Sequence, residues 1–291
     1  MHAIHASTTP EYDPPYTLCP LCQSRNIALY HCDYRHNRIF RCADCCVQFM
    51  NPVYSDNHLT RYYADYYGGD AAGDAISQGQ EKTNQLKFRA IERFVPTPGK
   101  VLDFGCGNGN FIETALAKGW QAIGYDVDCN AMQRVAARLG VEVRCGELSA
   151  VDWPPASFDL VHAHHVVEHL KHPLPDIAQL NRWLKPAGYL YVGVPNIDSA
   201  ASRFKFRLEK LGLRRQRVGR YYDSDHHVFY FSPASMRALL ERCGFHICMT
   251  MSGNKSHIGA SRVAQFFSYT LRSYLYTGSA FFMIARKIRE A

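Results

Sequence analysis

Val101-Leu102-Asp103-Phe104-Gly105-Cys106-Gly107-Asn108-Gly109-Asn110-Phe111 decides how this chain is read. Apolar residues carry a strand into an acidic residue, and glycine then takes every second position. A buried strand opening into such a turn lets backbone approach a ligand closely, because glycine accepts positive φ and has no Cβ in the way. A second strand-like run, Gln121-Ala122-Ile123-Gly124-Tyr125, ends at Asp126. That is about where a nucleotide-binding α/β unit places its ribose-binding carboxylate.

Working outward, strand and helix alternate. Strand is expected over 100–104 and helix over 109–118, stopped by Gly119. Strand follows over 120–126, then a helix capped by Asp128 that ends near Leu139 with Gly140 as terminator, then strand over 141–144. Phe158 to Ala163 reads as strand, 175–184 as a helix broken by Pro186-Gly188, and 189–194 as a strand ending at Pro195. Ser232-Pro233 opens a helix that ends at Gly244, and apolar runs over 245–251 and 280–287 supply the last strands. Upstream, Gln85 to Phe94 reads as helix, before a boundary at Pro96, Pro98 and Gly99. This rhythm predicts an α/β fold with a mostly parallel sheet and helices on both faces. The expected divisions are a flexible N-terminus over 1–15, a cysteine-rich module over 16–55 and a linker with helices over 56–95. The α/β domain takes 96–291, with a basic insertion at about 200–225.

The order Asp-x-Gly-x-Gly-x-Gly differs from the dinucleotide fingerprint G-x-G-x-x-G. It resembles motif I of the class I S-adenosylmethionine-dependent methyltransferases. Phe158-Asp159-Leu160-Val161 and Val166-Val167-Glu168-His169-Leu170 match that family too, the second resembling its ubiquinone-biosynthesis O-methyltransferase branch. The resemblance implies a Rossmann-like seven-stranded sheet and S-adenosylmethionine as cofactor. It implies that Gly105, Gly107 and Gly109 pass under the methionine part and that Asp103 orders the loop. Asp126 would take both ribose hydroxyls, Val127 would lie against adenine and Glu147 would reach the adenine edge.

Five histidines, His162, His164, His165, His169 and His172, follow at the end of a strand, where open α/β sheets bind ligands. His164 is a candidate for shaping the methionine pocket, and His165 for a general base. In the ubiquinone branch a glutamate three residues before the Glu-His pair helps bind a divalent cation. His165 stands in that place here, and imidazole suits a hard ion poorly, so no catalytic metal is assigned. His227, in a string resembling the His-x-x-x-Phe-Ser stretch of many small-molecule methyltransferases, is a second candidate base.

Cys19-x2-Cys22 and Cys42-x2-Cys45, nineteen residues apart, have zinc-ribbon spacing. Four thiolates leave an ion no open position, so the predicted zinc is structural. Cys32 and Cys46 read as spare, with Cys46 an alternative to Cys45 as a ligand, and Cys106, Cys129, Cys145, Cys243 and Cys248 read as small buried apolar residues. The ribbon text, with Asn51-Pro52, resembles the N-terminal module of bacterial methyltransferases associated with surface polysaccharides or natural products.

The 291 residues are 47% hydrophobic and 20% charged, as in ordinary globular proteins. Residues 1–15 lack the basic and apolar regions of a secretory signal, and no run reaches the roughly 18 apolar residues of a spanning helix. A cytoplasmic protein is expected. The net charge of +7 is local: Arg203, Lys205, Arg207, Lys210, Arg214, Arg215, Arg217 and Arg220 face only Glu209. That stretch suits an anionic or lipid-linked small-molecule acceptor, or peripheral contact with a membrane surface. The expected activity is methylation of a sugar, nucleotide-sugar or lipid-linked hydroxyl. RNA methylation through the ribbon and basic stretch is the main alternative, disfavoured because the charge is confined and Asn-Pro-Pro-Tyr is absent. A non-catalytic S-adenosylmethionine-binding scaffold is a third reading.

Overall fold

The computed structural model describes residues 10–33, 35–67, 78–211, 222, 226–253 and 278–291. Four antiparallel strands form the first sheet: β1 (Ile27–Cys32), β2 (Arg38–Cys42), β3 (Gln48–Met50) and, from far along the chain, β9 (Phe229–Tyr230). Helices α1 (Asp56–Tyr67) and α2 (Gln78–Ile91) lead into the second sheet.

That sheet contains β4 (Lys100–Phe104), β5 (Gln121–Asp126), β6 (Val143–Cys145), β7 (Phe158–His164), β8 (Leu184–Pro195), β10 (Phe245–Gly253) and β11 (Ala280–Lys287). The order across it is β10-β11-β8-β7-β4-β5-β6; β11 runs antiparallel to its neighbours and the rest pair in parallel. Between the strands lie α3 (Asn110–Ala117), α4 (Cys129–Leu139), α5 (Pro173–Trp183), α6 (Ala200–Lys210) and α7 (Pro233–Arg242).

Alternation sets the two faces. Val101, Ala122, Leu160 and Tyr191 pack on one side with Phe88 of α2, Phe111 of α3 and Met132 of α4. Their neighbours Leu102, Ile123, Val161 and Val192 pack on the other with Ile177 and Leu180 of α5 and Leu239 of α7. Helices therefore cover both faces, as the alternating sequence predicts.

Local signals hold where chemistry is local. Asp128 caps α4 by accepting from the amides of Asn130 and Ala131, and Gly140 closes it at φ 66°. Ser232 and Ser235 form a capping box at α7, with proline in its first turn. Two boundaries differ from expectation. Helix α2 begins at Gln78, a turn or more before the expected start. Pro186-Gly188 does not lie between helix and strand: α5 ends at Trp183, and the prolyl stretch is a bulge inside β8, where Phe158 pairs with Leu184 and Leu160 with Tyr189.

The cysteine module is joined to the α/β part. Gln48 and Phe49 of β3 pair with Tyr230 and Phe229 of β9, and one apolar cluster runs from Cys19, Ile39 and Phe49 through Phe229 and Phe231 to Leu239. Helix α6, the described part of the basic stretch, lies against the same module, with Phe206 stacked on Tyr30 at 5.8 Å. Arg214, Arg215, Arg217 and Arg220 lie outside the described residues, as does residues 1–9 of the N-terminus. Among the described residues, no helix is long and apolar enough to cross a membrane.

Candidate functional site

The chain runs outward from β4 through β5 to β6, then returns to the other side of β4 with β7 and β8. The crevice above the strand ends at such a reversal is where open α/β sheets bind ligands. The glycine turn, Asp126, Gly146-Glu147 and His164-His165 lie at the ends of β4, β5, β6 and β7 respectively.

The turn is held from beneath by β5. The carbonyl of Tyr125 accepts from the amides of Gly105 and Cys106 at 2.8 and 3.0 Å. The Asp126 carboxylate accepts from the Gly107 amide at 2.9 Å and from the Asp128 amide at 3.3 Å. Asp126 is buried, and that burial raises its pKa. The glycines serve different purposes. At Gly105, φ is +76° and a Cβ would stand 2.5 Å from Val166 Cγ2; at Gly107 a Cβ would meet nothing within 4 Å. The first permits packing and the second borders open space, as a cradle for a bound molecule requires. Val127 is 52% exposed beside that space, and Glu147 is exposed.

Asp103 points elsewhere than expected. Its carboxylate meets His162 Nδ1 at 2.7 Å, and Lys87 Nζ lies 3.3 Å from His162 Nε2. A donating ammonium leaves the ring proton on Nδ1, facing Asp103. All three are buried, and His162 stacks on Phe111 at 3.6 Å. The direct loop bonds thus come from Tyr125 and Asp126, while Asp103 ties β4 to β7 and α2.

Burial lifts the Asp103 pKa to about 7 against the pull of Lys87, and drops that of Lys87 to about 8. The stability contributed by a protonated Asp103 is complete below the unfolded value of 3.8 and lost as pH rises through about 7. For Lys87 it is complete above 10.5 and lost as pH falls through about 8. Lys87→Met is therefore expected to cost little stability at about pH 5, where Asp103 is protonated and needs no cation, and clearly more at about pH 8. Urea unfolding at the two pH values checks this; equal losses would contradict it.

His165 takes φ 57°, its amide donates to the Gly193 carbonyl at 2.8 Å, and its Nδ1 lies 3.0 Å from Glu168 Oε1. The ring is 42% exposed while the glutamate is 1% exposed. His164 needs Gly193 beside it: a Cβ there would stand 2.3 Å from its Nδ1. His227 lies with His226 and His169; burial and the neighbouring imidazoles push its pKa down to about 3. The Glu168 partner was open to sequence reading as an i,i+3 pair. The grouping of His169 with His226 and His227, fifty-seven or more residues apart, was not.

Cys19, Cys22, Cys42 and Cys45 come together, with Cys19–Cys45 and Cys22–Cys42 sulfurs both 3.5 Å apart. A tetrahedral ion with Zn–S bonds of about 2.3 Å sets sulfurs roughly 3.8 Å apart, so the residues fit a zinc site. Cys32 and Cys46 are free and exposed, and Cys106 and Cys243 are buried. Cys129 and Cys145 are not separate apolar residues: they form a disulfide. Parallel pairing of β5 with β6 sets Asp126 opposite Cys145, which brings it to the start of α4.

The methyltransferase domain family matches residues 80–248, more than half of the chain, and the chain belongs to that family. It is 31% identical over 120 residues to a ubiquinone biosynthesis O-methyltransferase of Thiobacillus denitrificans, covering 39% of this chain and 52% of that one. To a ribosomal protein L11 methyltransferase of Haemophilus ducreyi it is 37% identical over 123 residues, covering 40% and 41%. The chain thus spans about half the length of these relatives. Among solved structures, the 1,6-didemethyltoxoflavin-N1-methyltransferase of Burkholderia thailandensis superposes with a TM-score of 0.56 at 14% identity, covering 90% of this chain and 99% of that one. That likeness concerns the fold.

Proposed function

We propose that the protein transfers a methyl group from S-adenosylmethionine to a hydroxyl of a small-molecule acceptor: a sugar, nucleotide-sugar or lipid-linked intermediate. The observation that carries this reading is the Asp126 carboxylate at the end of β5, bonded to the Gly107 amide of the turn beside the reversal point. Gly105, Gly107 and Gly109 would pass beneath the methionine part and Asp126 would take the ribose hydroxyls. Val127 and Glu147 would border adenine, and His164 the methionine end. Bound there, the cofactor supplies a methyl group already activated by a sulfonium.

The residues then have to align an acceptor and take its proton. His165 is better suited than His227. Glu168, 3.0 Å from His165 Nδ1, would accept the proton there, leave the lone pair on Nε2 and stabilise the imidazolium that forms. A histidine held near the pKa of His227 is a weak base. His165 Nε2 would take the proton of the acceptor oxygen, and a bound cofactor would supply the methyl group and keep the electron pair of the carbon–sulfur bond on its sulfur.

The ribbon cysteines would hold one structural zinc, and the basic stretch around α6 would favour an acceptor carrying phosphate. Support for a small molecule comes from the ubiquinone-pathway relative; the L11 relative keeps a protein acceptor in the test. Incubation with methyl-labelled cofactor and host extract, split into small-molecule, lipid, glycan, protein and RNA fractions, should label one of the first three. Label confined to protein or RNA would overturn the acceptor class.

A further inference from the structure

Cys129 and Cys145 are bonded to each other, sixteen positions apart in the chain and with their Cα atoms 5.0 Å apart. The bond joins the first residue of α4 to the last residue of β6. The sheet sets its place. β6 is three residues long and lies at the edge beside β5, with Asp126 opposite Cys145. One position further along these parallel ends stand Val127 and Gly146. Val127 is 52% exposed, and at Gly146, where φ is +94°, a Cβ would meet nothing within 4 Å. Both residues border open space, and the disulfide ties their two segments together beside it.

Weaker ties hold the two walls of that space unequally. The Gly146 amide donates to the Asp126 carbonyl at 3.3 Å, a long bond, and Tyr125 Oη donates to the Gly146 carbonyl at 2.9 Å. The Asp126 carboxylate is fixed independently by the amides of Gly107 and Asp128. The crosslink therefore adds most to the placement of Gly146 and Glu147 and least to that of Asp126. It is also within reach of solvent, since Cys129 is exposed and Cys145 half-buried. Exposed disulfides exchange with external thiols more readily than buried ones.

We propose that the Cys129–Cys145 pair is a thiol–disulfide switch that sets cofactor affinity from the adenine side of the site. The inference rests on the S-adenosylmethionine reading. With the bond closed, Gly146 and Glu147 are held at a fixed distance from Val127, and adenine enters a preformed slot. With it open, the edge strand has to be ordered as the nucleoside binds, which weakens binding. A small-molecule dithiol opens the switch. Its first thiolate attacks the exposed Cys129 sulfur, and the sulfur–sulfur bond breaks with its electron pair on Cys145, which takes a proton. The second thiol then displaces Cys129, which leaves as a thiolate at the start of α4, where the helix N-terminus favours negative charge, and is protonated in turn. The protein gains two electrons and two protons, and the reductant departs as a cyclic disulfide. Exchange with a small-molecule disulfide closes the switch again.

The test reads binding, not turnover. The full chain is titrated calorimetrically with S-adenosylmethionine after treatment with dithiothreitol, and again after reoxidation with oxidised glutathione. Parallel samples are alkylated and mapped by mass spectrometry. Reduction is expected to free Cys129 and Cys145 for alkylation and to raise Kd by about tenfold, and reoxidation to reverse both changes. C129S/C145S is expected to keep the reduced-state Kd under either treatment, which separates this pair from the four ribbon thiols; C129A/C145A serves should the serine variant not fold. Equal Kd in the two states, tighter binding after reduction, or an undiminished response in the double variant overturns the switch and leaves the cofactor reading standing. Binding in neither state overturns the cofactor reading and the switch with it.

Discussion

Replacing Asp126 with alanine is expected to weaken S-adenosylmethionine binding by about two orders of magnitude. Hydrogen bonds to an ionised carboxylate contribute roughly 1.5–3 kcal/mol each, and about 3 kcal/mol corresponds to about a hundredfold in Kd. In the proposed complex Asp126 would offer oxygens to both ribose hydroxyls. In the free protein those oxygens already accept from Gly107 and Asp128, so alanine also releases the turn that should carry the methionine end. Asp126→Asn separates the two effects. Its amide oxygen can still hold the Gly107 amide, but its nitrogen cannot accept a hydroxyl proton. An intermediate loss, about tenfold, is expected. Calorimetric titration measures all three proteins. An unchanged Kd for Asp126→Ala, with the fold verified by its melting temperature, would remove this carboxylate from the cofactor site.

The parts of the molecule legible in the sequence are those whose cause lies within a few residues. The cap at Asp128, the glycine stop at Gly140 and the serine start of α7 depend on side chains bonding to backbone two or three positions away. The sheet faces follow from alternation along single strands. The cysteine cluster was legible because each knuckle is local and the chemistry of four thiolates is specific. What escaped depends on register between distant segments. The Cys129–Cys145 disulfide arises because β6 pairs with β5 so that Cys145 lies opposite Asp126, and nothing near either cysteine announces this. The bulge in β8 escaped because proline and glycine are breakers on local grounds, while pairing with β7 carries the strand through them.

Asp103 makes the same point at the site. Its place in the motif is plain, but its partners are not, because His162 lies across the sheet on β7 and Lys87 on a helix that precedes the sheet. A strand end proposed to carry a cofactor above also has to be anchored below. The buried Lys87–His162–Asp103 row does that by joining α2, β7 and β4. Its burial shifts both end groups toward neutrality, so the anchor responds to pH where a surface ion pair would not.

Loss of the zinc proposed for the ribbon is expected to separate the two halves of the proposed site. In Cys42→Ser the four-thiolate cluster loses one ligand, and structural zinc sites of this type contribute on the order of 10 kcal/mol to folding of their modules. Zinc content should fall by about one equivalent, and the thiolate charge-transfer band of a cobalt-substituted sample should disappear. The consequence reaches beyond the module because β3 is the partner of β9, and the Met50 amide holds Val228 beside His226 and His227. With β3 disordered, that segment loses its outer support, and Phe49 and Phe229 lose their shared packing. The turn at Gly105–Gly109 and Asp126 belong to the other sheet and keep their own bonds. Cofactor affinity is therefore expected to change by less than about threefold, while methyl transfer to the acceptor falls by roughly a hundredfold or more, the scale seen when a positioned group is displaced. Calorimetry with S-adenosylmethionine and label transfer to the acceptor fraction measure the two separately. Equal loss of both would mean that the ribbon supports the whole fold rather than the acceptor side, since the apolar cluster is continuous from Phe49 to Leu239.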